Sequence, residues 1–322
     1  MHNKPLPYSR WRHYKPTSWN DAKIACTNNP MNFSHILSLI RDAFLHQDAF
    51  IGQKKVIEFF DTTGKFQGDI YNFYIRELLE DGTPRYYTVI SPFDLTWKWA
   101  PQQWLIFEWG KLIFSTDFSE AVNIRTGAMD SLFLQSLGID SLKDKKILIV
   151  GSGWTAQYSY LFLRNTFTDI GKVDYTNRSG ASVEFEKLWN LEYQALPNLS
   201  EYDMIFLHAN VSEPYLKSEH RAMLKKWVIV TSYGGKTPER DIAPEFFTSQ
   251  DQVVIDMSAN IENLNPLKNA LEKWYIQKDE IIDFWVQLSH RVYCHDAMKN
   301  TLFISWGTPI QNIAMMKYLM KN

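Results

Sequence analysis

Long apolar runs are missing from this chain. No window approaches the ~18 consecutive apolar residues of a membrane span, because stretches such as WLIFEWGKLIF are broken by Glu108 and Lys111. A transmembrane protein is not expected. Cysteine is scarce as well. Cys26 and Cys294 are the only two, too few for a disulfide framework or a four-thiolate zinc site. Residues 1–16, MHNKPLPYSRWRHYKP, lack the apolar core of a signal peptide, so the expected compartment is reducing cytoplasm. Neither sign of charge dominates: 34 Lys and Arg face 36 Asp and Glu, a net charge of −2, and bulk charge draws the protein toward neither nucleic acid nor an anionic membrane. No G-x-S-x-G elbow suggests a serine hydrolase. A P-loop fails on spacing, since Val230 stands where Gly235-Lys236-Thr237 would need the first glycine. His290, Cys294 and His295 form one short cluster better suited to packing than to ligation, and no metal site is expected.

What is present is enough for two cores. The chain has 322 residues, 45% of them apolar, and at roughly 100–200 residues per domain two domains are favoured. Residues 1–30 hold Lys4, Arg10, Arg12, Lys15 and Lys23 against Asp21 alone, a basic arm of +4 on a body of −6. From 32 to 50, Ile36, Leu39, Ile40, Phe44 and Leu45 recur at helical spacing, with Asn32 or Ser34 as cap. Residues 55–120 read as successive strands (KVIEFFD, IYNFYIREL, RYYTVISPF, WLIFEWGKLIFS), and 120–139 turns helical with Gly138 as the stop. Then the pattern changes to strand, helix, strand: KKILIV at 145–150, a helix YSYLFLRNTF, KVDYTN at 172–177, YDMIFLHA at 202–209, WVIVTSYG at 227–234 and QVVIDM at 252–257. This alternation argues for a doubly wound α/β domain from about 140 to 290. Twelve tryptophans suit a core, an interface or a site. Trp97, Trp99, Trp104 and Trp109 lie so close together in the strand-rich half that pairing with a second copy, a homodimer, is expected there.

The sharpest local signal is Gly151-Ser152-Gly153-Trp154-Thr155-Ala156, a G-x-G-x-x-A turn between a buried strand and a helix. The first glycine permits the tight turn, the second lets backbone approach a pyrophosphate, and the small third residue lets helix pack on strand. After the next strand, where an acid would grip an NAD ribose, the chain reads Asn177-Arg178-Ser179. These donors suit a 2′-phosphate, so NADP(H) is favoured over NAD(H), which stays possible.

Together, Arg125-Thr126-Gly127-Ala128, the GSGWTA turn and Thr301-Leu302-Phe303-Ile304-Ser305-Trp306-Gly307 resemble the ornithine cyclodeaminase and mu-crystallin family of nicotinamide-dependent proteins. The resemblance implies an α/β protein in which a Rossmann NAD(P)-binding domain (136–297) is inserted into a split α+β substrate and dimerisation domain (1–135 plus 298–322). It implies that Arg125 holds the carboxylate of an amino or imino acid, and that His208-Ala209-Asn210, Tyr233-Gly234, Ser305 and Gly307 line the cofactor cleft. Lys236 stands where the cyclodeaminases carry an aspartate, and it is a candidate proton donor or carboxylate clamp. Arg85 and Lys98 are the cations nearest the place of the family's substrate-domain lysine. The expected function is an NADP(H)-dependent oxidoreductase of amino-acid metabolism acting on an α-imino or α-amino acid, by way of an imine or keto acid. Two alternatives stay open: a cyclodeaminase-type lyase using NAD catalytically, and a non-catalytic NADPH- or small-ligand-binding protein of mu-crystallin type.

Overall fold

The computed structural model describes residues 32–46, 50–60, 62–63, 66–94, 103–116, 120–182, 185–186, 189–209, 213–233, 241–290 and 299–321. In chain order these form α1 (Phe33–Leu45), β1 (Phe50–Phe60), β2 (Phe66–Leu78), β3 (Pro84–Asp94), β4 (Gln103–Glu108), β5 (Lys111–Thr116), α2 (Glu120–Ser136), β6 (Leu142–Val150), α3 (Trp154–Thr166) and β7 (Ile170–Thr176). They continue with β8 (Glu192–Tyr193), β9 (Met204–Leu207), β10 (Ile229–Ser232), β11 (Gln252–Ile255), α4 (Asn265–Glu272), β12 (Ile281–Asp283), α5 (Phe284–His290), β13 (Thr301–Ile304) and α6 (Pro309–Lys321). Among the described residues no helix is long and apolar enough to cross a membrane. The basic arm, both cysteines, Trp97, Lys98 and Trp99 lie outside the described residues.

The chain divides into two compact units, Met1–Val122 with Pro309–Asn322, and Asn123–Thr308. In the first, Asn32 caps α1 by accepting from the His35 amide at 2.9 Å, and Ile36, Leu37, Ile40 and Phe44 form its buried face. Strands β1 to β5 pair antiparallel in sequence order. The run 104–115, continuous in sequence, is a hairpin: Trp109 and Gly110 both have positive φ, 49° and 71°, the geometry of a two-residue turn whose twist matches its strands. Pleating buries Phe73 and Ile75 of β2, Tyr87 and Val89 of β3, and Trp104 and Ile106 of β4 on one face. Tyr74, Leu78, Tyr86 and Leu112 stand exposed on the other. Helix α6 packs on α1, and its Lys317 pairs with Glu77. Arg85 is committed to Glu108 across the sheet, Nε to Oε1 2.7 Å.

The second unit carries an eight-stranded sheet in the order β12-β11-β13-β10-β9-β6-β7-β8, parallel at every pairing. Its central strands are short apolar runs because both faces are covered. On one face Leu148, Val150, Ile205, Leu207, Val230, Leu302 and Val253 meet Phe246, Phe247, Leu264 and Leu267. On the other, Phe133 of α2 stacks on Phe303 of β13 at 4.4 Å, and Phe284 of α5 joins them. These contacts explain why the units divide at 122/123 and 308/309 rather than at the expected 135/136 and 297/298. Strand β13 pairs with β10 and β11, so the TLFI segment is part of the parallel sheet, and most of α2 lies with it.

Candidate functional site

The strand order reverses between β6 and β9. In an open parallel sheet this switch leaves a crevice beyond the carboxyl ends of the strands, where ligands bind. Two chain segments meet there, the glycine turn after β6 and the His208-Ala209 end of β9. Gly151 has φ +111°, and a Cβ on it would sit 2.9 Å from the His208 carbonyl oxygen and 3.1 Å from the Ala209 amide nitrogen. Only glycine fits. Gly153 is the N-cap of α3 and gives no side-chain cap, while a Cβ there would meet nothing within 4 Å. Gly153 thus supplies no side-chain cap to the amides that open α3, and the partial positive charge of a helix N-terminus suits a pyrophosphate. Ala156 is fully buried, as close helix-on-strand packing requires.

Three further contacts brace this turn. Gln157 Nε2 donates to the Ser152 carbonyl at 2.8 Å, Asn177 Nδ2 donates to Ser152 Oγ at 2.7 Å, and Thr155 Oγ1 donates to Asn123 Oδ1 at 2.9 Å. Asn177 thus ties the end of β7 to the glycine turn. Arg178 and Ser179 follow it in an exposed turn without a carboxylate beside them in the chain.

A second group gathers around Arg125. Its guanidinium is buried, and a Cβ on Gly307 (φ +76°) would lie 2.6 Å from Nη1, so glycine at 307 serves both the backbone and the arginine. Burial pushes the Arg125 pKa down to about 10, partly offset by Asp256, and the cation persists at neutral pH. Asp256, at the end of β11, accepts from Ser305 Oγ at 2.8 Å and from the Trp306 amide at 3.0 Å. Gly127, two residues beyond Arg125, lies where α2 packs tightly on α3: a Cβ there would be 2.5 Å from the Ser159 amide nitrogen. The R-T-G-A motif is thus a buried cation beside a helix-crossing glycine.

The third group was not expected from sequence. Asp130 on α2 has no exposed surface. Its Oδ2 accepts from Ser159 Oγ on α3 and bonds His208 Nε2 at 2.8 Å; its Oδ1 accepts from Thr231 Oγ1 at 2.6 Å and from the Tyr233 hydroxyl at 2.7 Å. The Tyr233 ring stacks on the His208 ring, centroids 5.0 Å apart and planes 6° apart. Burial, with the neighbouring carboxylate second, raises the Tyr233 pKa far above its ordinary value, so its hydroxyl stays a donor. A carboxylate with four donors is fully satisfied. The signal for Asp130 was one charge inside the apolar helical stretch Ala128-Met129-Asp130-Ser131-Leu132-Phe133, and such a charge is buried only when paired.

The structure brings the glycine turn, Asn177, His208, Ala209 and Tyr233 to neighbouring strand ends. Ser305 and Gly307 sit instead with Arg125, at the end of a strand three places from β6. Asn210, Gly234 and Lys236 lie outside the described residues. Among the described residues no three His, Cys, Asp or Glu side chains are grouped as for a metal ion.

No protein-family model and no curated protein matches the chain. Solved structures do. An archaeal alanine dehydrogenase dimer with bound NAD is similar at a TM-score of 0.73, with 16% identity over 91% of this chain and 92% of that one. A probable ornithine cyclodeaminase from Bordetella pertussis Tohama I is similar at 0.73, with 13% identity over 92% and 94%. The Δ1-pyrroline-2-carboxylate reductase of Thermococcus litoralis, in complex with NADH and L-proline, is similar at 0.71, with 16% identity over 92% and 95%. The chain has the fold of these proteins over nearly its whole length, in keeping with the resemblance carried by its three motifs.

Proposed function

We propose that this protein is an NADP(H)-dependent oxidoreductase that interconverts an α-imino acid, or a keto acid with an amine, and the corresponding α-amino acid. The observation that carries the reading is the glycine turn at the switch point, with a forced glycine at 151 and an uncapped helix behind it, in a fold shared with NAD-bound alanine dehydrogenase and NADH-bound pyrroline-2-carboxylate reductase. The residues that would hold the cofactor are Gly151 to Ala156 at the pyrophosphate and Asn177, Arg178 and Ser179 at the adenosine ribose. The bound nicotinamide cofactor supplies hydride. Arg125 supplies a buried planar cation for the substrate carboxylate, a geometry that a guanidinium fork matches in a bidentate way, and Gly307 leaves room for it.

The cofactor part is tested by titrating NADPH and NADH against protein fluorescence. Tighter binding of NADPH is expected, and equal affinity or a preference for NADH would contradict it. Arg178→Ala should cost about 1.5–3 kcal/mol in NADPH binding by removing a charge-assisted contact, and leave NADH binding nearly unchanged.

We further propose a homodimer through the antiparallel sheet of the first unit. Its outward row of Tyr74, Leu78, Tyr86 and Leu112 is an apolar surface of the kind that marks an interface. Trp104 is part of the core and Trp109 is 69% exposed at a turn, so exposed tyrosines and leucines, more than a tryptophan cluster, supply that surface. The double variant Tyr86→Glu, Leu112→Glu should sediment as a folded monomer where the wild type sediments as a dimer. A wild type that stays monomeric at every concentration would refute the proposal.

A further inference from the structure

Resting on the dinucleotide-binding part of the reading above, we propose that Asn123 is a further cofactor-binding residue, whose side-chain amide nitrogen Nδ2 donates to the pyrophosphate held at the glycine turn. No motif points to it. Asn123 lies on α2, two residues before the R-T-G-A sequence and far in the chain from the GSGWTA turn.

Its placement follows from the way two helices pack. Asn123 Oδ1 accepts from Thr155 Oγ1 at 2.9 Å, and four residues further along each helix Gly127 abuts Ser159. Positions 123 and 127 of α2 meet 155 and 159 of α3 in the same order, so the helices run parallel and the first turn of α2 lies beside the first turn of α3. Thr155 is the second residue of α3 after its N-cap, Gly153, and its amide is one of those that a helix leaves without an internal acceptor. An anion bound at that N-terminus is therefore within reach of the side chain that Thr155 holds.

Three properties suit Asn123 to such an anion. With Oδ1 engaged by the threonine hydroxyl, Nδ2 is the arm left over, and it can only donate. It has no partner among the described residues and is not one of the buried polar atoms that lack one, so it reaches solvent. The turn beside it is open as well: Asn123 and Thr155 are half-buried, Gly153 is exposed, and a Cβ built on Gly153 would meet nothing within 4 Å. Lastly, packing does not call for an asparagine. Helix α2 is already fixed to α3 by the close approach at Gly127 and by Asp130 with Ser159, and asparagine is a poorer helix former than alanine. Because the pyrophosphate is common to NADPH and NADH, a donor at 123 strengthens both, whereas Arg178 is assigned to the 2′-phosphate alone.

Asn123→Ala and Asn123→Asp separate this role from a purely structural one. Alanine favours a helix, and aspartate is favourable in its first turn, so neither variant should lower the melting temperature of the apoprotein. In fluorescence titrations Asn123→Ala should weaken NADPH and NADH alike by about 10-fold, the loss of one hydrogen bond to a charged group. Asn123→Asp can still accept from Thr155 but sets a negative charge against the pyrophosphate, and it should weaken both by about 100-fold or more. Phosphorus NMR of NADPH bound to Asn123→Ala should show a displaced pyrophosphate signal and an unmoved 2′-phosphate signal, and Arg178→Ala should show the reverse. Unchanged NADPH affinity in Asn123→Ala, or wild-type affinity in Asn123→Asp, would overturn the proposal. A lower apoprotein melting temperature in Asn123→Ala with all three phosphorus signals displaced would overturn it too, because that is the mark of a link between helices and nothing more. A wild type that binds neither NADPH nor NADH would fail the dinucleotide reading itself, and the role of Asn123 with it.

Discussion

Asp130→Ala is expected to destabilise the protein by about 3–5 kcal/mol, the usual cost of removing one partner from a buried charged contact. The reason is geometric. One carboxylate joins α2 to α3 through Ser159, to β9 through His208 and to β10 through Thr231 and Tyr233. Alanine leaves four buried groups without their acceptor and a void too enclosed for easy collapse. Asp130→Asn, which keeps volume and two acceptor contacts, should lose much less. Urea unfolding of both variants beside wild type measures this through the shift in midpoint at constant slope. A loss under about 1 kcal/mol in Asp130→Ala would show that the carboxylate is dispensable to the packing of α2.

Arg125 should matter more to turnover than to the cofactor. Alanine there removes the guanidinium proposed to hold the substrate carboxylate, and kcat/KM should fall by about 100-fold or more, in line with a lost charge-assisted bidentate contact of roughly 3 kcal/mol. Lysine keeps the charge, but its point-like ammonium lacks the planar fork, so Arg125→Lys should be impaired to a lesser degree. Gly307→Ala should act in the same direction from the other side, because its Cβ would displace the guanidinium. NADPH affinity should hold in all three, since the glycine turn is built from other residues. Steady-state kinetics with parallel NADPH titration and thermal melts make the comparison. Undiminished kcat/KM in Arg125→Ala would remove the clamp, whereas an unfolded variant would assign Arg125 to the fold through Asp256 and Gly307.

Much of this architecture is legible in the amino-acid order. KKILIV running into GSGWTA reads as a strand, a tight turn and a helix because continuous burial and glycine freedom leave strong local marks, and the parallel sheet follows from their repetition. Asn32 marks the start of α1, and Gly138, at φ +73°, stops α2. The hairpin at Trp109-Gly110 is hidden because a tryptophan with positive φ is an uncommon turn residue, and the apolar residues on either side read as one run. Strand β13 is misplaced because four residues near the C-terminus carry no information about the strands they will join. The links from β9 through β12 contain several short 3-10 turns in place of long helices, so periodicity says little there. Asp130 illustrates the general limit. Its role is made by partners 29, 78, 101 and 103 residues away, and no local spacing announces such a meeting.

The most direct test of the central claim is to follow NADPH absorbance when the purified protein meets cyclic imino acids and pairs of keto acid with ammonium or amine. Net, substrate-dependent oxidation of NADPH, matched one for one by amino acid formed, is the expected result. Tight NADPH binding with no consumption across the panel, or product formed from a diamino acid with no net change in cofactor, would contradict it.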